Sequence, residues 1–265
     1  MKKRMLVGMA LGLGLAFVAT TANAGSTPGS GIIGSRHDLS NATGYGAILG
    51  GAGASDTMDR ICIYCHAPHN TYRGGDINYS PLWNHGVTTL TYNFYDSGAG
   101  APIVGPHATQ STDSAYGNMD PNGELFSVSK LCLSCHDGNV ALDVYGDPQM
   151  VDAANGSVGA GVMTLPADGS FEIGRDDDSD GTGDLDNHHP IGFDYDAVQA
   201  VDNEIAASTV TFASGVRIAD VLSAGAMECS TCHDVHNSTG GMGEKFLWGT
   251  NAGSDFCCTC HLKCN

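Results

Sequence analysis

The stretch Cys62-Ile63-Tyr64-Cys65-His66-Ala67-Pro68-His69 decides how the rest of the chain is read. Two cysteines are followed at once by a histidine, and a second histidine stands three residues further on. A C-x-x-C-H run is the pattern of a c-type haem attachment site. The two thiols bond the porphyrin covalently, and the adjacent imidazole is placed to ligate the iron from one face. The pattern recurs at Cys132-Leu133-Ser134-Cys135-His136, Cys229-Ser230-Thr231-Cys232-His233 and Cys257-Cys258-Thr259-Cys260-His261. Four copies imply four covalent haems. The attachment points are Cys62, Cys65, Cys132, Cys135, Cys229, Cys232, Cys257 and Cys260, and the proximal iron ligands are His66, His136, His233 and His261.

A C-x-x-C pair alone also suits half a zinc ribbon, a redox dithiol or a disulfide. Zinc ribbons place two pairs ~15–20 residues apart, whereas the gaps here are 66, 93 and 24 residues. Thioredoxin-like chemistry needs one motif in a βαβ context, and this chain has four. A histidine directly after all four pairs is a coincidence that neither alternative explains.

Each iron needs a second axial ligand, and seven histidines remain: 37, 69, 85, 107, 188, 189 and 236. His69 lies three residues after His66, and His236 three after His233. On a helix that spacing puts both side chains on one face, ~5–6 Å apart. Two imidazoles on opposite faces of one iron need backbones much farther apart, so His69 and His236 must each serve a neighbouring haem. This predicts two close haem pairs. The expected assignment gives His69 to the Cys132/Cys135 haem, His236 to the Cys257/Cys260 haem, His37 to the first and His189 to the third. His85, beside Trp83, reads as a packing or surface residue, and His107 as solvent-facing. His188 yields to its neighbour His189, which Pro190 biases towards extended backbone.

Residues 1–24 read as a signal peptide: Lys2, Lys3 and Arg4, an apolar core from Met5 to Thr20, then the small-x-small site Ala22-Asn23-Ala24. No later segment approaches ~18 consecutive apolar residues, so an exported chain with no membrane insertion is expected. Eleven basic residues less those three leave eight against twenty-nine acids, a formal charge of −21 on residues 25–265. Such a surface excludes nucleic acid and anionic lipid as partners. Glycine, 37 of 265 residues, is about twice its usual share of roughly 7%, and aromatics are only 7%. A protein-only core would be thin. The expected fold is therefore a mostly irregular multihaem cytochrome c domain over 25–265. It has short helices at the C-x-x-C-H motifs, few short strands, and a core built of stacked haems.

Along the chain, Asp56 or Thr57 could cap a short helix over Arg60 to His69, and Val87 to Tyr92 is a short strand. A helix is expected over Phe126 to His136, ending near Gly138. Residues 146–187 are the most linker-like. They contain Asp176-Asp177-Asp178-Ser179-Asp180-Gly181-Thr182-Gly183-Asp184-Leu185-Asp186-Asn187, a candidate calcium loop with ligands Asp176, Asp178, Asp180, Thr182 and Asp184. The glutamate usual at its twelfth position is absent, and a solvated acidic loop is the plain alternative. Ala197 to Ala207 reads as a helical turn or two, Thr209 to Val216 as a strand, and Ser254 or Asp255 as the cap of a last helix. The spare cysteines, Cys258 and Cys264, can pair with each other, pair across subunits, or stay as thiols.

The runs His37-Asp38-Leu39-Ser40, Cys65-His66-Ala67-Pro68-His69, Pro81-Leu82-Trp83-Asn84, Ser129-Lys130-Leu131-Cys132-Leu133-Ser134-Cys135-His136-Asp137-Gly138, His189-Pro190-Ile191 and Cys232-His233-Asp234-Val235-His236-Asn237 resemble exported multihaem cytochromes. The number and order of motifs are most similar to the tetrahaem OmcE-type cytochromes that form extracellular conducting filaments. The resemblance covers most of residues 35–262 and implies distal ligands at His37, His69, His189 and His236. The acidic loop at 176–187 departs from it as an insertion, and so does Cys258. It implies an electron-transfer protein rather than an enzyme, with four bis-histidine haems c. Its partners would be copies of itself, and redox proteins or extracellular acceptors, at the cell surface. A monomeric periplasmic shuttle, or a multihaem reductase with one open haem, would carry the same motifs.

Overall fold

The computed structural model describes residues 31–33, 35–40, 60–69, 71–72, 82–94, 128–146, 165, 171–176, 181–185, 188–238 and 245–264. Residues 1–24, read as a signal peptide, lie outside them, as do His107, Asp178 and Asp180. Among the described residues no helix is long and apolar enough to cross a membrane.

The regular elements are short. In order they are β1 (Thr91–Phe94), α1 (Val128–His136), β2 (Thr182–Leu185), β3 (Phe193–Asp194), α2 (Tyr195–Val201), α3 (Ile218–Val221), β4 (Ala226–Met227), α4 (Cys229–Cys232) and α5 (Asp255–Cys260). Two 3-10 turns, Cys62–Tyr64 and Ala252–Ser254, complete the set. β1 pairs with β2 in parallel, Thr91 opposite Thr182, and β3 with β4 antiparallel, Phe193 opposite Met227.

Local chemistry explains the ends. Asp194 caps α2 by accepting the Ala197 N–H at 2.8 Å, so that helix starts two residues before the expected Ala197 and stops at Val201. α1 ends where Gly138 takes φ +75°, a conformation open to glycine. Other expectations shift. Arg60 to His69 is not a helix but one 3-10 turn, because the Ala67 N–H leaves the chain direction to bond the Leu82 carbonyl at 3.0 Å. Thr209 to Val216 is not a strand. It folds back on itself, Phe212 N–H to Val216 carbonyl at 2.8 Å, about Gly215 at φ +86°. Ser254 precedes α5 without a side-chain cap and with a left-handed backbone.

Among the described residues, buried apolar side chains form several small clusters instead of one large core. Leu39, Tyr64, Leu142 and Tyr145 make one, Trp83, Val87 and Leu131 a second, and Tyr92, Leu133 and Leu185 a third. Tyr195, Phe212, Ile218 and Met227 gather under the C-terminal part. α1 touches the first three, through Cys135, Leu131 and Leu133 respectively.

The acidic segment is stitched to α1, contrary to its reading as linker. The Ile173 N–H bonds the His136 carbonyl at 2.7 Å, and the Tyr92 hydroxyl donates to buried Asp137 at 2.8 Å. A Cβ at Gly183 would stand against the Gly174 carbonyl oxygen and 2.6 Å from the Tyr92 ring. Gly183→Ala is therefore expected to force β2 off β1 and to lower stability by about 3 kcal/mol, an overpacking loss. Thermal melting measures it, and an unchanged midpoint would mean that the strand pair yields freely.

Candidate functional site

The four C-x-x-C-H segments share a local build. In the first, third and fourth, the histidine N–H returns to the first cysteine's carbonyl: His66 to Cys62 at 2.8 Å, His233 to Cys229 at 3.0 Å, His261 to Cys257 at 2.9 Å. A second stretch of backbone then straps each histidine, through bridges His66–Trp83, His233–Leu247 and His261–Ile205. At the second segment 171–173 does this job. Asn84 tightens the first strap, its Nδ2 donating to the Ile63 carbonyl at 2.7 Å. Each strap leaves the imidazole projecting from a fixed backbone.

Three of these imidazoles face a histidine from elsewhere in the chain. Ring centroids of His66 and His236 lie 6.1 Å apart, those of His136 and His37 6.2 Å, and those of His261 and His189 6.1 Å. Two imidazoles binding one metal through a ring nitrogen at ~2 Å leave centroids roughly 6 Å apart. Carbonyl oxygens only accept, so they fix the tautomer of four rings. The Nδ1–H of His37 meets the Val235 carbonyl at 3.3 Å, that of His136 meets Phe171 at 2.8 Å, that of His189 meets Pro190 at 2.8 Å, and that of His233 meets Lys245 at 2.8 Å. Nε2 of each is left for another partner. Burial, with repulsion from His136 next, pushes His37 down to about 4. Burial also lowers His233 and His261. His37 is thus neutral at pH 7, the form that ligates a metal.

The pairing differs from the one expected along the chain. His37 meets His136 rather than His66, His236 meets His66 rather than His261, and His189 meets His261 rather than His233. The cause is the path of residues 31–40. They cross the third motif, with Gly31 N–H to the Asn237 carbonyl at 3.1 Å and Asn237 Nδ2 to the Gly31 carbonyl at 3.1 Å. That crossing sets His37 on Phe246, 4.7 Å between centroids, and in front of His136. Among the described residues neither His69 nor His233 faces a histidine in this way, and His69 is exposed. His85 is fully buried, with Nδ1 2.7 Å from the Gly86 carbonyl and Nε2 3.1 Å from the Ala141 carbonyl, and whichever nitrogen carries its proton donates to one of them.

The eight motif cysteines are free of disulfides, and Cys258 is bonded to Cys264. Burial pushes Cys65 up to about 11 and Cys232 to about 12, and raises Cys135. The sulfurs also act on one another across segments. Cys65 raises Cys135, Cys132 lowers Cys229, and Cys260 and Cys257 raise Cys232. Sulfur neighbours thus connect the four segments in chain order.

Of the candidate calcium ligands, Asp176, Thr182 and Asp184 are described. The Asp176 carboxylate accepts the Gly181 N–H at 2.9 Å, and Thr182 and Asp184 lie in β2. Among the described residues no three His, Cys, Asp or Glu side chains converge on a bare-ion site.

Trp83 Nε1, buried beside His66 at 6.4 Å between rings, finds no acceptor among the described residues. A group bringing a carboxylate against His66 would satisfy it, and haem carries two. Histidine spacing, tautomers, protonated thiols and this donor all fit haem. Two participants escape sequence reasoning, Trp83 as an orphan donor and Glu228 as a buried carboxylate. Glu228-x-x-Thr231 in front of the third motif had the form of a capping pattern. Comparison with protein-family models and with curated proteins gives no match.

Proposed function

We propose that this chain is a c-type cytochrome that carries four haem groups and moves electrons. Within that class we read it as the subunit of an extracellular cytochrome filament. The observation that carries the first step is the set of three histidine pairs at 6.1–6.2 Å. Each joins the histidine of a C-x-x-C-H segment to one outside its own haem site.

Cys62/Cys65, Cys132/Cys135, Cys229/Cys232 and Cys257/Cys260 would hold the groups. His66 with His236, His136 with His37 and His261 with His189 would supply their axial ligands. His69, by elimination, is assigned to the His233 iron. The groups themselves would supply one-electron iron chemistry. The chain's part is spacing, burial and charge: sulfur neighbours from first segment to fourth keep successive groups close, and straps hold each imidazole. With both axial positions taken, no iron is left for a substrate. The filament reading is supported by the resemblance.

Pyridine haemochrome assay and intact mass of the exported protein are expected to give four haems per chain, with a wholly low-spin spectrum. A chain without covalent haem sinks the proposal. One high-spin iron in the assembled protein would favour the reductase. Negative-stain microscopy is expected to show filaments. Uniform monomers on sizing would leave the periplasmic shuttle.

A further inference from the structure

The fourth motif, Cys257-Cys258-Thr259-Cys260-His261, carries one cysteine more than an attachment site uses. Cys258 is bonded to Cys264, their Cα atoms 5.3 Å apart, while Cys257 and Cys260 form no disulfide. Residues 204–206 hold the segment that brings Cys264 within reach. The Ala206 N–H donates to the Cys260 carbonyl at 2.8 Å and the Leu262 N–H to the Glu204 carbonyl at 2.8 Å. The Lys263 ammonium pairs with the Glu204 carboxylate. The chain past His261 therefore turns back on α5 and closes a small covalent ring through the motif.

A thioether forms when a thiol adds across a haem vinyl group. The sulfur bonds one vinyl carbon and the proton goes to the other, with no net oxidation. Only a free thiol can do this, and the reduced motif offers three thiols for two vinyls. In the finished α5, Cys257 and Cys260 are three apart and share a face, whereas Cys258 is turned about 100° from Cys257. That geometry is not in place beforehand. α5 has six residues and buries none of them, and isolated helices under about 12 residues are marginal in water. In the unwound segment Cys258 adjoins Cys257 and is just as near to a vinyl. Helix geometry alone therefore leaves the choice of sulfur open.

We propose that the Cys258–Cys264 disulfide is a specificity device for haem attachment, withholding Cys258 so that the fourth haem is joined only through Cys257 and Cys260. This rests on the four-haem reading. In forming the bond the two thiols give up two electrons and two protons to a disulfide-bearing oxidant, which is reduced to two thiols, as an oxidising compartment allows. Cys264 has no part at the iron, and its role is complete once both thioethers have formed.

Trypsin cuts after Lys245 and Lys263 and releases the whole fourth motif in residues 246–263. Alkylating the reduced digest of the holoprotein marks every cysteine not bonded to haem, and fragmentation in a mass spectrometer locates the mark. Within this peptide the wild type is expected to carry it on Cys258 alone. In Cys264→Ser the disulfide cannot form. About a tenth or more of that peptide is then expected to carry the mark on Cys257 or Cys260, the free Cys258 thiol having reacted in its place. Adding Cys258→Ser removes the competitor, so the double variant should return to a single product with no mark. A disulfide that only stapled the chain would change melting and leave the mark on Cys258 in Cys264→Ser, a result that overturns the proposal. If Cys264→Ser fails to accumulate, the double variant decides. Normal haem-loaded yield traces the damage to the free Cys258 thiol, and equal loss of both variants overturns the proposal. A wild-type peptide with no haem sinks the four-haem reading, and this inference with it.

Discussion

A chain in which Cys132 and Cys135 are both replaced by alanine is expected to fall below about a tenth of wild-type accumulation in the exported fraction, judged by haem-stained gel and immunoblot. The segment bearing these cysteines is the structural hub. Leu131 and Leu133 of α1 anchor two separate apolar clusters, and Cys135 borders a third. Ser129 at its start holds Glu228. Among the described residues this part of the chain has only small apolar clusters, so an attached haem would be the main apolar body they could close on. Losing a large buried apolar group costs about 5 kcal/mol in conventional cores, a sum that takes most of a margin of about 5–15 kcal/mol. The same double substitution at Cys257 and Cys260 should be milder, since Tyr195, Phe212, Ile218 and Met227 pack under that site independently. Equal accumulation of both variants would show that α1 is held by protein contacts alone.

His37→Ala is expected to open one iron of the four, seen as a new high-spin component and as carbon monoxide binding that the wild type lacks. The imidazole lies 6.2 Å from His136 and is backed by Phe246, so alanine leaves a gap that no neighbouring histidine fills. Which iron opens is the sharper question. In a chain also carrying Cys62→Ala and Cys65→Ala, the open iron should persist, because His37 belongs to His136. If it vanished with the first site, His37 would serve His66 and the pairing would be wrong. His69→Ala should likewise open one iron, but at the third site. In a filament that defect should be rescued by mixing in a chain with His69 intact, if the ligand crosses between subunits.

Several elements followed directly from residue order. Val128–His136 is helical up to the glycine expected to end it. The spacing argument at His66/His69 and His233/His236 was also purely local, since on a helix residues three apart share one face. Burial was harder to foresee. His85 looked like a packing or surface residue and is wholly enclosed, because Gly86, Ala141 and Tyr145 wrap a single bend of chain around it. The glycine-rich, acidic stretch before Asn187 looked like linker. Its carbonyl at Phe171 instead orients His136. A main-chain carbonyl has no side-chain identity, so no composition signal could announce that role.

By itself the sequence determined the chemistry on offer: eight motif thiols, four histidines beside them, more histidines than four irons would require, and a strongly acidic composition. These are properties of short segments, carried by residues adjacent in the chain. Only the tertiary structure decided which histidine faces which, because that depends on where residues 31–40 cross the third motif and on which straps lie behind each imidazole. It also decided that the carboxylate of Glu228, just before Cys229, reaches Ser129 beside a motif almost a hundred residues away. Contacts of that range depend on how separate clusters pack together, and local spacing carries no record of it.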